Sequence, residues 1–255
     1  MDVDCTFPNH EANPLKEETL DDIKSLIAKM GADIGFAFDG DGDRVGVIDD
    51  QGITLRGDQV MALLVPRILA KHPGAPVMYD IRSGLAVVEE IRRAGGVPIV
   101  SPVGHGLIKP RMQKNGTVFA GELAFHFYFK DFYGVDCPDL VMLMILEMIS
   151  ETGKPLSELA APVRRYFHSG EINSEIADKE AVLRMVEETY SHEAAEISKI
   201  DGIRLDFHND NEPDEDWWFN VRASNTEPLL RLTLEAKKKD KMEAMREELL
   251  KIIRV

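Results

Sequence analysis

Three aspartates at alternate positions, Asp39, Asp41 and Asp43, stand in the run FAFDGDGDRVGVIDD (36–50), with glycines between them and Arg44 directly after. Carboxylates crowded this closely repel one another unless something positive sits among them. Alternate side chains on a glycine-bearing loop can converge on one hard divalent cation, and Mg²⁺ takes carboxylates together with phosphate oxygens. Arg44 beside them carries a rigid planar fork suited to a phosphoryl group. The plain alternative is a solvated acidic turn, which three aspartates at period two after an apolar run disfavour. An EF-hand fails, because its calcium loop needs glycine at the sixth position and glutamate at the twelfth between two helices. Here those positions are Arg44 and Asp50, and the flanks read as strands. A second stretch, VRASNTEPLLRLTLEA (221–236), puts Arg222, Ser224, Asn225 and Thr226 on a turn between two strands. Hydroxyl and amide side chains, turn N–H groups and one arginine can cradle a phosphate, and ordinary Ser-Asn-Thr turn chemistry reads the same way.

The elements that must hold these groups follow from the apolar spacing. Leu20, Ile23, Ile27 and Met30 recur at helical intervals and predict a helix over 17–30. Apolar runs at 34–38 and 45–48 predict strands, which puts the aspartates on a strand-to-strand loop. Helices at 57–71 and 84–95 alternating with strands at 76–79 and 98–103 predict a parallel sheet with covering helices. Two short strands near 117–129 and a helix at 137–152 complete that unit, and SETGKPLSE (150–158) has the composition of a connector. Beyond residue 166 the order becomes strand, helix (178–197), strands at 203–208, 217–223 and 229–235, and a charged helix at 237–253, the pattern of a separate small α+β domain. Trp217 and Trp218 are expected to divide between core and surface.

A chain of 255 residues, 44% hydrophobic, can build one large core or two to three small ones. The net charge of −15, with no large Lys/Arg cluster, argues against a nucleic-acid partner. Cys5 and Cys137 lack the spacing of a disulfide framework or a zinc ribbon, and a reducing cytoplasm fits. The longest apolar run, LVMLMILEMI (140–149), is broken by Glu147 and too short for a bilayer, so no membrane partner is expected. His72, His168, His192 and His208 lack ligand spacing and are expected at the surface, and a zinc site from His105, Glu122 and His126 is disfavoured because no HExxH is present.

Six segments in order carry a resemblance: DCTFPNHEANP (4–14), DGDGDR (39–44), YDIRSG (79–84), VGHGLIK (103–109), GELAFHFYF (121–129) and RASNTEP (222–228). Together they resemble the α-D-phosphohexomutases of the phosphomannomutase/phosphoglucomutase type. The resemblance implies mixed α/β three-layer domains followed by a small α+β C-terminal domain. It assigns 1–53 to the end of domain 2 with the metal loop, 54–165 to domain 3 with sugar recognition, and 166–255 to domain 4 with distal phosphate binding. The implied activity is Mg²⁺-dependent interconversion of hexose 1-phosphate and 6-phosphate through a phosphoserine and a bisphosphorylated sugar. Asp39, Asp41 and Asp43 would hold Mg²⁺; Arg44, Arg82 and His105 would position or neutralise the moving phosphoryl group. Glu122 and His126 would meet the sugar, and Arg222, Ser224, Asn225 and Thr226 the phosphate that is not reacting.

Two departures stand out. Ala124 and Phe125 replace the family's serine and glycine in the sugar loop, which removes a hydroxyl and is expected to bring a bulky ring toward the sugar. No serine here has the Ser-His-Asn-Pro context of the phosphoryl donor, so the donor is expected outside these residues. Expected partners are therefore hexose phosphates and either the missing N-terminal half or a second copy joined through the incomplete domain 2, and the chain alone is expected to be catalytically silent. The alternative is a non-catalytic module that binds or senses sugar phosphates.

Overall fold

The computed structural model describes residues 4, 6–209, 211–224 and 227–254. The chain divides into two compact units, Met1–Arg164 and Arg165–Val255.

In the first unit, α1 (Asp21–Met30) has Asp21 and Asp22 in its first turn and Lys29 in its last, which complements the helix dipole. Gly31 closes it at φ 63°, a left-handed conformation that glycine adopts without a Cβ penalty. Leu20 and Ile27 bury against Ile48 of the adjoining sheet. There β1 (Ile34–Phe38) pairs antiparallel with β2 (Val45–Asp49), and Phe38 faces Val45. Residues 39–44 are thus the connection of a hairpin, and its glycines free the backbone for the reversal. Every residue of β2 is buried, and β3 (Thr54–Leu55) pairs on its far side.

Next come α2 (Gly57–Lys71), β4 (Pro76–Asp80), α3 (Leu85–Arg93), β5 (Val97–Ser101), α4 (His105–Asn115), β6 (Phe119–Gly121), β7 (Phe127–Phe129), β8 (Val135–Asp136), α5 (Pro138–Thr152) and α6 (Leu156–Ala160). The sheet order is β5-β4-β6-β7-β8. The expected parallel arrangement holds for β4 with β5 and β6, whereas β7 and β8 run antiparallel. Five residues separate β6 from β7, too few for a parallel crossover. Helix α4 was absent from the sequence expectation: it carries Pro110, and only Ile108 and Met112 of its residues are buried, so its apolar stripe is faint. Helix α2 is apolar nearly all round and sits in the main core with Val77, Phe119, Phe127, Val141 and Ile145. No helix of the described residues is long and apolar enough to cross a membrane.

In the second unit β9 (Phe167–Glu175), β10 (Glu196–Ser198), β11 (Ile203–Phe207), β12 (Trp217–Ala223) and β13 (Leu229–Ala236) form an antiparallel sheet of order β10-β11-β12-β13-β9. Helices α7 (Lys179–Tyr190) and α8 (Lys239–Ile253) share its core. The helix expected over 178–197 ends at Tyr190, and 196–198 is strand. Both tryptophans are buried, which corrects the expected division between core and surface. Trp217 stacks on Phe207 with ring centroids 4.2 Å apart. Trp218 points the other way along the strand, lies 3.8 Å under the Arg204 guanidinium, and donates its indole N–H to Glu235. Of the four histidines expected at the surface, His192 and His208 are exposed, and His72 and His168 are half-buried.

Helix α2 begins directly under the turn 122–126, and a Cβ on Gly57 would lie 2.5 Å from the Glu122 carbonyl oxygen and 2.7 Å from that of Leu123. Backbone cannot yield as a flexible side chain can, so Gly57→Ala is expected to lower stability by about 1–3 kcal/mol in urea unfolding. Gly106, in the first turn of α4, meets nothing within 4 Å, and Gly106→Ala is expected to raise stability by about 0.5–1 kcal/mol. Similar urea midpoints for the two variants would contradict this packing.

Candidate active site

The carboxyl ends of the three parallel strands feed the site. Arg82 follows β4, His105 opens the helix after β5, and Glu122 follows β6. Beside them the hairpin connection presents its aspartates. One oxygen from each of Asp39, Asp41 and Asp43 lies within 4.8 Å of the others. Three hard oxygen donors on one short loop fit a hard divalent cation of the Mg²⁺ type. Asp39 is buried and takes both the backbone N–H (3.0 Å) and the Nε–H (2.7 Å) of Arg44. Burial works to raise its carboxyl, but these two bonds hold it below the usual carboxylate range. Asp43 is raised, chiefly by burial and further by the Asp39 and Asp41 charges, with His126 opposing. A cation among the three would relieve that repulsion.

Arg82 is buried and clamped: its backbone N–H and guanidinium donate to Asp80 at 2.8 and 2.7 Å, and Asp80 also accepts from the N–H of Leu123 at 3.0 Å. One fully buried carboxylate thus ties the loop after β4 to the loop after β6. Glu122 is 3% exposed and accepts from the N–H of Gly104 at 3.0 Å. Gly104 itself stands at φ 117°, a backbone that only glycine adopts freely, and this turn points its N–H at Glu122 while launching α4. Burial, with the Asp80 charge adding, pushes the Glu122 carboxyl up to about 7. His105 is exposed, and its ring centroid lies 6.4 Å from that of His126. His126 is mostly buried, which holds its imidazole below the usual value against the pull of Asp43 and Asp136. A neutral imidazole can hydrogen-bond a hydroxyl group or take its proton.

The 122–126 turn departs from expectation at Phe125. Its ring is 4% exposed and belongs to the main hydrophobic core, so it turns away from the site. The backbone pays with φ 71°, left-handed for a residue with a Cβ, at a cost of order 1–3 kcal/mol. The loop keeps the turn of a glycine and uses the side chain for packing.

The sequence reading missed Asp80, Lys109 and Asp136. Asp136 accepts from Lys109 Nζ at 3.0 Å and faces His126. Asp80 and Lys109 stood inside the quoted segments, two residues before Arg82 and four after His105, whereas nothing in the spacing marked Asp136.

In the second unit Arg222 lies on β12, paired with Arg231 of β13, and not on the turn where the sequence placed it; Ser224 begins the connection, both are buried, and Asn225 and Thr226 lie outside the described residues. Arg222 donates to Glu171 at 3.2 Å, and Glu171 also takes Arg231 at 3.1 Å. Arg231 reaches Ser224 Oγ at 3.4 Å, and Lys179 lies 3.4 Å from the carbonyl oxygen of Ser224. Three cations thus border this turn, of which the sequence reading had named one.

An oxygen-rich loop with guanidinium and imidazole groups at the carboxyl ends of parallel strands is the site arrangement of an α/β ligand-binding protein. The chain belongs to the phosphoglucomutase/phosphomannomutase family: models of its α/β/α domain II, its α/β/α domain III and its C-terminal domain match residues 1–52, 56–166 and 171–252. A phosphomannomutase of Methanocaldococcus jannaschii is 40% identical over 250 residues, covering 98% of this chain and 54% of the relative. A phosphomannomutase of Escherichia coli is 39% identical over 235 residues, covering 92% and 50%. A crystal structure of a phosphoglucomutase/phosphomannomutase family protein from Burkholderia thailandensis superposes with TM-score 0.86 at 30% identity, over 99% of this chain and 54% of that one. The chain spans about half the length of the curated relatives it matches.

Glu122 makes the site sensitive to pH. Its folded value of about 7 lies above the usual 4.5, so between the two the folded state binds more protons than the unfolded, and stability falls as pH rises through that window. The shift corresponds to about 3 kcal/mol, fully expressed above about pH 8 and absent below about pH 4. Glu122→Gln keeps the acceptor for Gly104 and removes the titration. The variant is expected to be more stable than the parent in alkaline urea titrations and equal to it in acid, and a difference independent of pH would rule this out.

Proposed function

We propose that this chain carries the metal, sugar and distal phosphate sites of a phosphohexomutase that interconverts hexose 1-phosphates and 6-phosphates by way of a phosphoserine and a bisphosphorylated sugar. The observation that carries this reading is the convergence of the Asp39, Asp41 and Asp43 oxygens beside Arg44 and His126. Names of relatives that act as phosphomannomutases support it.

In this reading Asp39, Asp41 and Asp43 hold Mg²⁺, which when bound draws charge from a transferring phosphoryl group. Arg44 is braced on Asp39, and Arg82 on Asp80, so both guanidinium groups are oriented before a ligand arrives. His105 lies on the opening turn of α4, where N–H groups without helical partners favour an anion. Glu122 contacts sugar hydroxyls on the flank of the reacting edge and can meet either orientation of a sugar that must react at both ends. His126 holds or accepts the proton of the hydroxyl that takes the phosphoryl group. Arg222, Ser224, Asn225 and Thr226, with Arg231 alongside, hold the second phosphate; Glu171 keeps the two guanidinium groups from repelling each other until it arrives.

Two binding experiments test this. Asp41→Asn removes a cation ligand that has no part in the Arg44 clamp, so the variant is expected to lose Mg²⁺ or Mn²⁺ binding in calorimetry or water relaxation while unfolding normally; unchanged affinity would refute the ligand assignment. Arg222→Ala is expected to weaken mannose 1-phosphate binding by about 1.5–3 kcal/mol, the worth of a charge-assisted hydrogen bond, with phosphate-free mannose binding poorly to both forms. Equal affinity of parent and variant for mannose 1-phosphate would remove this loop from the phosphate site.

A further inference from the structure

Asp43, His126 and Asp136 come from three separate segments, the 39–44 connection, the turn before β7, and β8, yet one ligand-capable atom from each lies within 4.8 Å of the other two. The His126 Nδ1 atom is sealed from solvent and has no hydrogen-bond partner. It stands 3.4 Å from Oδ2 of Asp136 and 3.7 Å from Oδ2 of Asp43. Both distances exceed the roughly 2.7–3.2 Å of a well-formed N–H···O hydrogen bond, so the nitrogen faces two carboxylates without a close bond to either. They come close to the edge of a coordination tetrahedron, since ligands about 2.0–2.2 Å from a cation stand about 3.3–3.6 Å apart.

The surroundings hold Asp136 and His126 in place. Lys109 occupies the other oxygen of Asp136, Oδ1, at 3.0 Å and leaves Oδ2 to the cluster. The imidazole lies against the Tyr128 ring, at a centroid distance of 6.2 Å and 21° between planes. One imidazole nitrogen with two carboxylate oxygens is a donor set for Zn²⁺ or Co²⁺, whereas the all-oxygen loop of Asp39, Asp41 and Asp43 suits Mg²⁺.

We propose that Asp43, His126 and Asp136 form a second cation site, selective for a borderline metal such as Zn²⁺ and sharing Asp43 with the acidic loop. The shared carboxylate makes the two sites competitors, so a zinc-type ion seated on His126 withdraws a ligand from the Mg²⁺ loop. This stands on donor geometry alone and holds whether or not the chain takes part in a mutase reaction. The rival is an ion cluster in which a protonated His126 is shared between two aspartates.

The test is a Co²⁺ titration of the chain followed in the visible range, where four-coordinate Co²⁺ absorbs far more strongly than the six-coordinate aqua ion. The expected result is a set of intense bands that excess Zn²⁺ abolishes. His126→Gln and Asp136→Asn are each expected to weaken Co²⁺ by more than about tenfold, since even an outer-shell partner is worth about 10–100-fold, while Asp41→Asn stays within about threefold of the parent. Far-ultraviolet circular dichroism checks that each variant is folded. In the unmutated chain, Zn²⁺ is expected to shift the imidazole resonances of His126 and not those of His192 or His208. Absence of intense bands at millimolar Co²⁺, an affinity indifferent to both His126→Gln and Asp136→Asn, a loss in Asp41→Asn as large as theirs, or unmoved His126 resonances would each overturn the proposal.

Discussion

The structure of the first unit turns on a concentration of negative charge that the fold itself only partly compensates. Asp39, Asp41, Asp43, Asp80, Glu122 and Asp136 gather around the carboxyl ends of a parallel sheet, and Asp39, Asp80 and Glu122 are buried. Arg44 answers Asp39, Arg82 answers Asp80, and Lys109 answers Asp136. Glu122 is answered by a backbone N–H and by staying protonated to an unusually high pH. Asp43 has Arg44 at 3.8 Å and His126 at 3.7 Å, both beyond hydrogen-bond reach. The residual charge is what a bound cation would compensate, so groups that cost stability here are also those able to take a ligand.

The scaffold meets this electrostatic demand with backbone devices. The hairpin of β1 and β2 holds Asp39 and Arg44 at opposite ends of a six-residue connection, close enough for the arginine to clamp the aspartate twice. Gly104 aims an N–H at Glu122, Gly57 lets α2 approach the 122–126 turn, and Phe125 accepts a left-handed backbone to fill the core below it. These are local conflicts with propensity tolerated for the sake of a site, which is where such conflicts are expected to concentrate. In the second unit Glu171 plays a similar part with opposite sign, as one carboxylate spacing two arginines beside a polar turn.

Much was legible beforehand because it depended on local chemistry. The aspartate period and the apolar runs on either side placed the acidic loop between two strands, and the absence of EF-hand positions set it apart from a calcium loop. The expected helix bounds match α2, α5, α7 and α8 to within a few residues, apart from the end of α7, where the chain leaves the helix at Tyr190. Helix α4 escaped because a proline and a thin apolar stripe hide it, and the antiparallel β7 and β8 because strand direction depends on connection geometry rather than on residue type.

The residue types in short segments thus determined the chemistry: hard oxygen ligands, guanidinium forks, an imidazole and a buried carboxyl. Only the tertiary structure decided which of them meet. Asp136 joins His126 through a sheet pairing between β7 and β8, Asp80 reaches Leu123 across 43 residues of chain, and Trp218 finds its cover in Arg204 of the neighbouring strand. The Phe125 ring goes to the core for the same reason: the core beneath the turn had room for it, and burial of an aromatic side chain outweighs the strain of one left-handed residue. Side-chain type is written one residue at a time, whereas burial, partner and protonation state are properties of a neighbourhood that exists only once distant segments have packed.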